Sequence, residues 1–257
     1  MSVFFRKIIF LAFLFLNTDQ LVGQDLKTAE KYTQIWMGYF NQTRISNKWG
    51  IWTDLHLRTK DHFVDSFSQS VMRVGLTYHL KDQIKITAGY AYVIQFPGDN
   101  HKNISQPEHR GWQLVQWNNS KPGFRIAQSI RLEEKFKHKI ESDDKLGDGY
   151  GFYWKFRYGL QLSFPLHKKL VSKRELYFLV SDEIHINFGK EILHQNFDQN
   201  RFFVGFSVPV NFHDILQIGY MNQIQQPVSG ANYKLVNAVR VFYFQNLDLR
   251  KNKSLLK

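Results

Sequence analysis

The sequence contains no cysteine. A disulfide-stapled scaffold of the kind small exported domains use is therefore excluded, and so is attachment to a membrane through a lipidated cysteine. No apolar run after Leu16 could make a membrane helix, which needs about 20 residues. A phosphate-binding glycine loop is missing as well, since the GDGYG run at residues 147–151 does not follow a strand and open a helix. His56, His62, His101, His109 and His194 lack metal-ligand spacing. The acidic run ESDDKLGDG at residues 141–149 departs from the EF-hand pattern and reads as a solvated loop. Glu133-Glu134 and Asp143-Asp144 cannot serve as facing acid and base, because adjacent strand residues point to opposite faces. No segment resembles the Ser-His-acid signature of an outer-membrane lipase. No catalytic residue, cofactor or metal site is expected.

What is present starts with MSVFFRKIIFLAFLFLNTDQLVGQ. Arg6 and Lys7 precede an apolar core at residues 8–16, and small Gly23 stands before Gln24, so residues 1–23 read as a secretory signal peptide. Acidic residues are scarce: 22 Asp and Glu face 34 Lys and Arg, for a net charge of +12, which loss of Arg6, Lys7 and Asp19 lowers by only one. An exported chain rarely meets nucleic acid, so this balance points to an anionic membrane surface or to acidic solutes. The remaining length suits one domain of sandwich or barrel size.

The stretch YGFYWKFRYGLQLSF at residues 150–164 alternates with period 2. Phe152, Trp154, Phe156, Tyr158, Leu160, Leu162 and Phe164 oppose Lys155, Arg157, Gln161, Ser163 and small or aromatic residues. This is a strand, and it is longer than the 5 to 6 residues typical of globular strands; a membrane-crossing strand needs roughly 9 to 11. The alternation returns at residues 49–58, 70–80, 83–96, 124–133, 176–189, 201–210 and 216–225, with Asp182 as a blemish on an apolar side. Residues 32–45, 109–117 and 233–245 are further strands whose facing the pattern does not decide. A mean hydropathy of −0.38 beside 16% aromatic residues suits strands with one wet and one lipid-facing side.

Short connections near residues 46–48, 81–82, 119–122, 165–173 and 211–214 alternate with longer polar ones near 59–66, 97–107, 139–149, 190–198 and 226–232. Short turns at one rim and long loops at the other belong to an outer-membrane barrel, and Trp49, Phe96 and Phe164 near strand ends suit its aromatic girdle. The expected fold is an all-β, antiparallel up-and-down transmembrane barrel over residues 24–246, followed by a basic tail at 247–257. Because bacterial single-chain barrels hold an even number of strands, ten or twelve are expected, which leaves the strand at 32–45 without a clear place.

Several segments together resemble a family of small bacterial outer-membrane barrels known as domain of unknown function 2490. They are Glu108-His109-Arg110 with Gln113, Arg131-Leu132-Glu133-Glu134, Phe156-Arg157-Tyr158, Gln199-Asn200-Arg201 and Gly219-Tyr220-Met221-Asn222. The resemblance implies an outer-membrane barrel of a Gram-negative bacterium, without an established activity to carry over.

If lipid covers the apolar face, Arg125, Arg131, Glu133, Lys155, Arg157, Glu183, His185 and Arg201 point into the lumen as a charge network of both signs. That network either selects solutes as a constriction or fills a narrow barrel with ion pairs. The function expected is porin-like, a narrow pore or a structural surface barrel. Its partners would be outer-membrane lipid and lipopolysaccharide, the machinery that inserts barrels, and small solutes, with no nucleic acid. An outer-membrane enzyme acting on lipid or lipopolysaccharide and a secreted soluble β-sandwich binding module are the alternatives.

Overall fold

A computed structural model describes residues 29–98, 101–169, 175–193, 195–227 and 232–250, so the expected signal peptide and most of the basic tail lie outside the described residues. Those residues form eleven strands: β1 (Glu30–Arg44), β2 (Trp49–Thr59), β3 (Phe67–Lys81), β4 (Ile84–Gln95), β5 (Gln106–Lys121), β6 (Phe124–Ser142), β7 (Lys145–Lys169), β8 (Glu175–Phe188), β9 (Phe197–Pro209), β10 (Asp214–Gln225) and β11 (Lys234–Asp248). Each pairs with its neighbours in sequence, and β1 joins β11 to close a barrel.

The sandwich alternative is thereby overturned, and the expected ten or twelve strands become eleven. The reason lies in the closing pair. An even count is required only if every pair is antiparallel, whereas β1 and β11 run parallel, in register from Glu30–Lys234 to Arg44–Asp248. The strand at residues 32–45 is the one that makes this closure. Since β1 and β11 point the same way, both start at the end that carries the longer connections, here the loop end. Both finish at the end with the tight turns, the turn end.

The seam strand outruns its other neighbour. Pairing of β1 with β2 begins only at Trp36–Arg58, which leaves backbone N–H groups of β1 to be satisfied above that level. Side chains fill the gap: Thr59 Oγ1 accepts from the Ile35 N–H at 2.7 Å, and Asp61 Oδ1 accepts from the Thr33 N–H at 3.0 Å. That backbone donor holds the Asp61 carboxyl below its ordinary value.

Alternation sorts the residues as the period requires. On β3, Met72, Val74 and Leu76 are 58%, 51% and 52% exposed on the outside, while Val71, Arg73 and Thr77 turn inward and are buried. The three strands whose facing was undecided carry large apolar groups on the inner face too. Trp36, Phe40, Trp112, Val236 and Phe242 join Trp52, Phe203 and Met221 in an apolar cluster inside the barrel. Glycines make room for it. A Cβ on Gly75 or Gly89, which are paired across β3 and β4, would meet the Trp112 ring, and one on Gly205 or Gly219 would meet the Phe203 ring.

Two local expectations are corrected. The loop expected at residues 139–149 is the tip of a β6–β7 hairpin that turns at Asp143 and Asp144; its strands lose the alternation because they extend past the apolar band, where neither face needs an apolar covering. Phe96, expected in the outer girdle, lines the inner cavity beside Phe67, because it lies one residue past β4, where the pleat no longer fixes its side. Trp49 does face outward, 4.9 Å from the Tyr78 ring, and Phe164 stands 6.2 Å from Phe124.

Candidate functional site

The inner face encloses a cavity of about 840 Å³, which reaches from Glu30 and Lys234 at the loop end past mid-barrel to Gln116, Gln161 and Gln217. Strand alternation delivers its charges. On β5 to β8 every second residue is inward, so Glu108, Arg110, Glu133, Lys135, Lys155, Arg157, Glu183 and His185 share one wall.

On that wall each acid serves several bases. Glu133, 1% exposed, receives Arg157 Nη1 at 2.9 Å and Arg110 Nη1 at 3.2 Å, with Arg131 at 3.7 Å. Glu183 receives Arg157 Nε at 2.8 Å and also contacts His185 Nε2. Glu108, fully buried, engages Arg110 and, at 3.2 Å, Lys135, whose Nζ donates to the Tyr153 hydroxyl at 2.6 Å. Lys155 pairs with Asp198 at 2.6 Å, and Asn187 Nδ2 donates to the same carboxylate at 2.9 Å. On β2 and β3, Asp54 holds Arg73 Nε at 2.8 Å and accepts from the Trp52 indole N–H. Pairing of this kind offsets the cost of burying charge.

Three arginines on β2, β9 and β11 are held differently. Arg201 Nε donates to Gln223 Oε1 at 3.0 Å and Arg240 Nη2 to Gln217 Oε1 at 3.2 Å. These partners are carboxamides, which orient a guanidinium without neutralising it. Arg58 lies against the Trp36 ring, its Cζ 3.6 Å from the centroid. Twelve Lys and Arg against five Asp and Glu line the cavity as a whole, so its interior carries a positive excess.

Of the eight charged residues expected in the lumen, Arg131, Glu133, Lys155, Arg157, Glu183, His185 and Arg201 are brought together around this cavity. Arg125 is not: it stacks on Tyr177, 4.5 Å from the ring centroid, toward the turn end. Sequence reasoning missed Arg110, on an expected strand of undecided facing at residues 109–117, Glu108, just before that strand and part of β5 in the structure, and Asp198, which fell in an expected loop. Arg58, Arg73 and Asp54 lay on alternating strands, and their inward parity was the available signal. Asp182, the blemish on an apolar side, faces outward, where it accepts from Asn200 Nδ2 at 2.9 and 3.1 Å. Among the described residues no group of three or more His, Cys, Asp or Glu is placed to hold a metal ion.

A family model described as "Protein of unknown function (DUF2490)" matches residues 33–234, from the seam strand to the start of β11. The chain belongs to this family. An uncharacterized protein of Methylorubrum extorquens is 24% identical over 166 residues, a stretch that covers 62% of this chain and 65% of that one. This DUF2490 chain thus spans a little under two thirds of that relative. Among solved structures, a NanC porin in a rhombohedral crystal form aligns at 9% identity with a TM-score of 0.45, over 79% of this chain and 94% of that one.

Proposed function

We propose that this DUF2490 protein is exported through its N-terminal segment at residues 1–23 and resides in the outer membrane, where its lumen gives small anions a narrow path. Membrane residence is supported by the outer face. Met72, Val74, Leu76, Phe206 and Ile218 are well exposed around the barrel, an apolar band that water would penalise and lipid would cover. Outer-membrane lipid and lipopolysaccharide are then its surroundings, and the barrel-insertion machinery its route there.

The observation that carries the anion reading is the imbalance of twelve basic to five acidic side chains on the cavity wall. Fixed cations in a confined, low-dielectric passage raise the local concentration of anions and repel cations. The test is conductance of the purified barrel in planar bilayers under a potassium chloride gradient. The expected result is small unitary steps with a reversal potential of the sign set by chloride. A barrel that never conducts overturns the path, and a reversal potential of the opposite sign overturns the anion preference.

A further inference from the structure

We infer that the lumen contains one discrete binding site for a small solute with two or more anionic oxygens, carboxylate or phosphate, built by Arg58, Arg201 and Arg240 around Trp36. The inference deepens the anion reading of the same lumen and rests on it for the sign of the solute's charge. Trp36, on the seam strand, is in register with Arg240 of β11 on one side and Arg58 of β2 on the other. Arg201 reaches in from β9, its Cζ 4.9 Å from the same indole that Arg58 approaches to 3.6 Å. Arg240 lies 3.3 Å from the Phe203 ring centroid and 4.8 Å from that of Phe242.

Aromatic faces position these guanidiniums but compensate only part of their charge. The carboxamides of Gln223 and Gln217 add orientation and no negative charge. The nearest ion-pairing acid, Glu183, is 3.9 Å from Arg201 and is already engaged by Arg157 and His185. Nε of Arg58 and of Arg240 is buried without an acceptor among the described residues. Elsewhere in the barrel, by contrast, Arg73, Arg110, Arg157 and Lys155 each hold a carboxylate directly. Among the described residues, the barrel therefore pairs those bases directly, leaves the forks of Arg58 and Arg240 without a carboxylate, and gives Arg201 only a long contact to a carboxylate it shares. Such forks match oxyanions two bonds at a time, and in a partly dry cavity an oxyanion offers them the compensation that the described residues supply only in part. A cavity of about 840 Å³ accommodates a solute of that size.

The decisive variant is Gln223→Glu, which keeps side-chain size beside Arg201 and supplies an internal carboxylate in place of the solute. Isothermal titration of the detergent-purified barrel with inorganic pyrophosphate, and separately with citrate, at constant ionic strength should show saturable binding of one molecule per barrel. Gln223→Glu and Arg58→Gln should each weaken it at least about tenfold, the loss expected for one charge-assisted hydrogen bond. Arg125→Gln, at the distant Tyr177 stack, should leave it unchanged. Absence of saturable binding to wild type, or equal binding by wild type and a folded Gln223→Glu, overturns the site. Anion-selective conductance without saturable binding likewise rejects the site while sparing the path. Saturable binding without conductance supports the site and rejects the path.

Discussion

Arg157 is clamped between two carboxylates, with Nη1 2.9 Å from Glu133 Oε1 and Nε 2.8 Å from Glu183 Oε1. Both acids have further cationic partners, yet Arg157 is the residue that joins them. Arg157→Ala therefore leaves two acids facing a gap in the inner wall. The expected cost is roughly 3 kcal/mol, the lower end for a broken buried pair because the cavity admits water. It should show as a lower midpoint for loss of the compact band on unheated gels. Adding Glu183→Gln to Arg157→Ala should recover part of that loss; equal midpoints for wild type and Arg157→Ala would mean that the clamp contributes nothing.

Legibility in the sequence followed the polarity of the lumen. Where the inner face is charged, as with Lys155 and Arg157 against Phe156 and Tyr158, one period of 2 gives both the strand and its facing. Where the inner face is apolar, as at Trp36, Trp112 and Phe242, the strand is visible but its two sides look alike. The parallel seam left no local mark at all, because the register of β1 against β11 joins residues about 200 positions apart and is set by closure. Ion-pair partners were hidden for the same reason: parity shows that Lys155 points inward, while only the strand register brings Asp198 to it.

The outer face gives a second test. Phe156 is paired in the sheet with Leu132 and Ile186, both on the apolar side. Phe156→Arg near the bilayer midplane should cost about 2–4 kcal/mol of folding free energy in liposomes, and Phe156→Ala clearly less. A harmless Phe156→Arg in a folded, inserted barrel would show the faces to be reversed.

Gly89 tests the seating of the inner aromatic cluster. A Cβ there would stand 2.6 Å from Gly75 Cα and 2.9 Å from Trp112 Cζ2, too close for either to remain in place. Gly89→Ala should destabilise the barrel by about 1–3 kcal/mol through overpacking. Combining it with Trp112→Leu should cost less than the two changes added separately. Strict additivity would indicate that Gly89 and Trp112 are not coupled.

Asp61 supplies a pH dependence outside the apolar band. Its carboxyl is held below the ordinary 3.8, first by the Thr33 N–H that it accepts. A lowered folded value means that the contribution to stability is fully present above 3.8 and fades as pH falls through the lowered value. The Thr33 amide proton should therefore titrate in NMR spectra with a midpoint under 3.8, and Asp61→Asn should abolish that titration. A midpoint at or above 3.8 would show that Asp61 does not cap the seam.

The odd-numbered closure is itself open to a direct chemical test, because the chain has no cysteine of its own. Asn41 on β1 and Gln245 on β11 are register partners, and Asn41 Nδ2 donates to Gln245 Oε1 at 2.9 Å. Adjacent positions on neighbouring strands fall within the Cα separation of about 4.4–6.8 Å that a disulfide accepts. Asn41→Cys with Gln245→Cys should oxidise in the folded barrel to a link that closes almost the whole chain into a ring, visible as a shift on denaturing gels that reductant reverses. A ten-strand barrel closed by β2 against β11 would leave β1 outside the ladder and the two thiols apart. Moving one partner by one residue, Asn41→Cys with Asn246→Cys, or by two, Asn41→Cys with Leu247→Cys, provides the register control, since Asn246 pairs with Gln42 and Leu247 with Thr43. Efficient linking only in the Asn41–Gln245 combination fixes both the parallel direction and the register; equal linking in all three, or none in any, removes the seam on which the eleven-strand count depends.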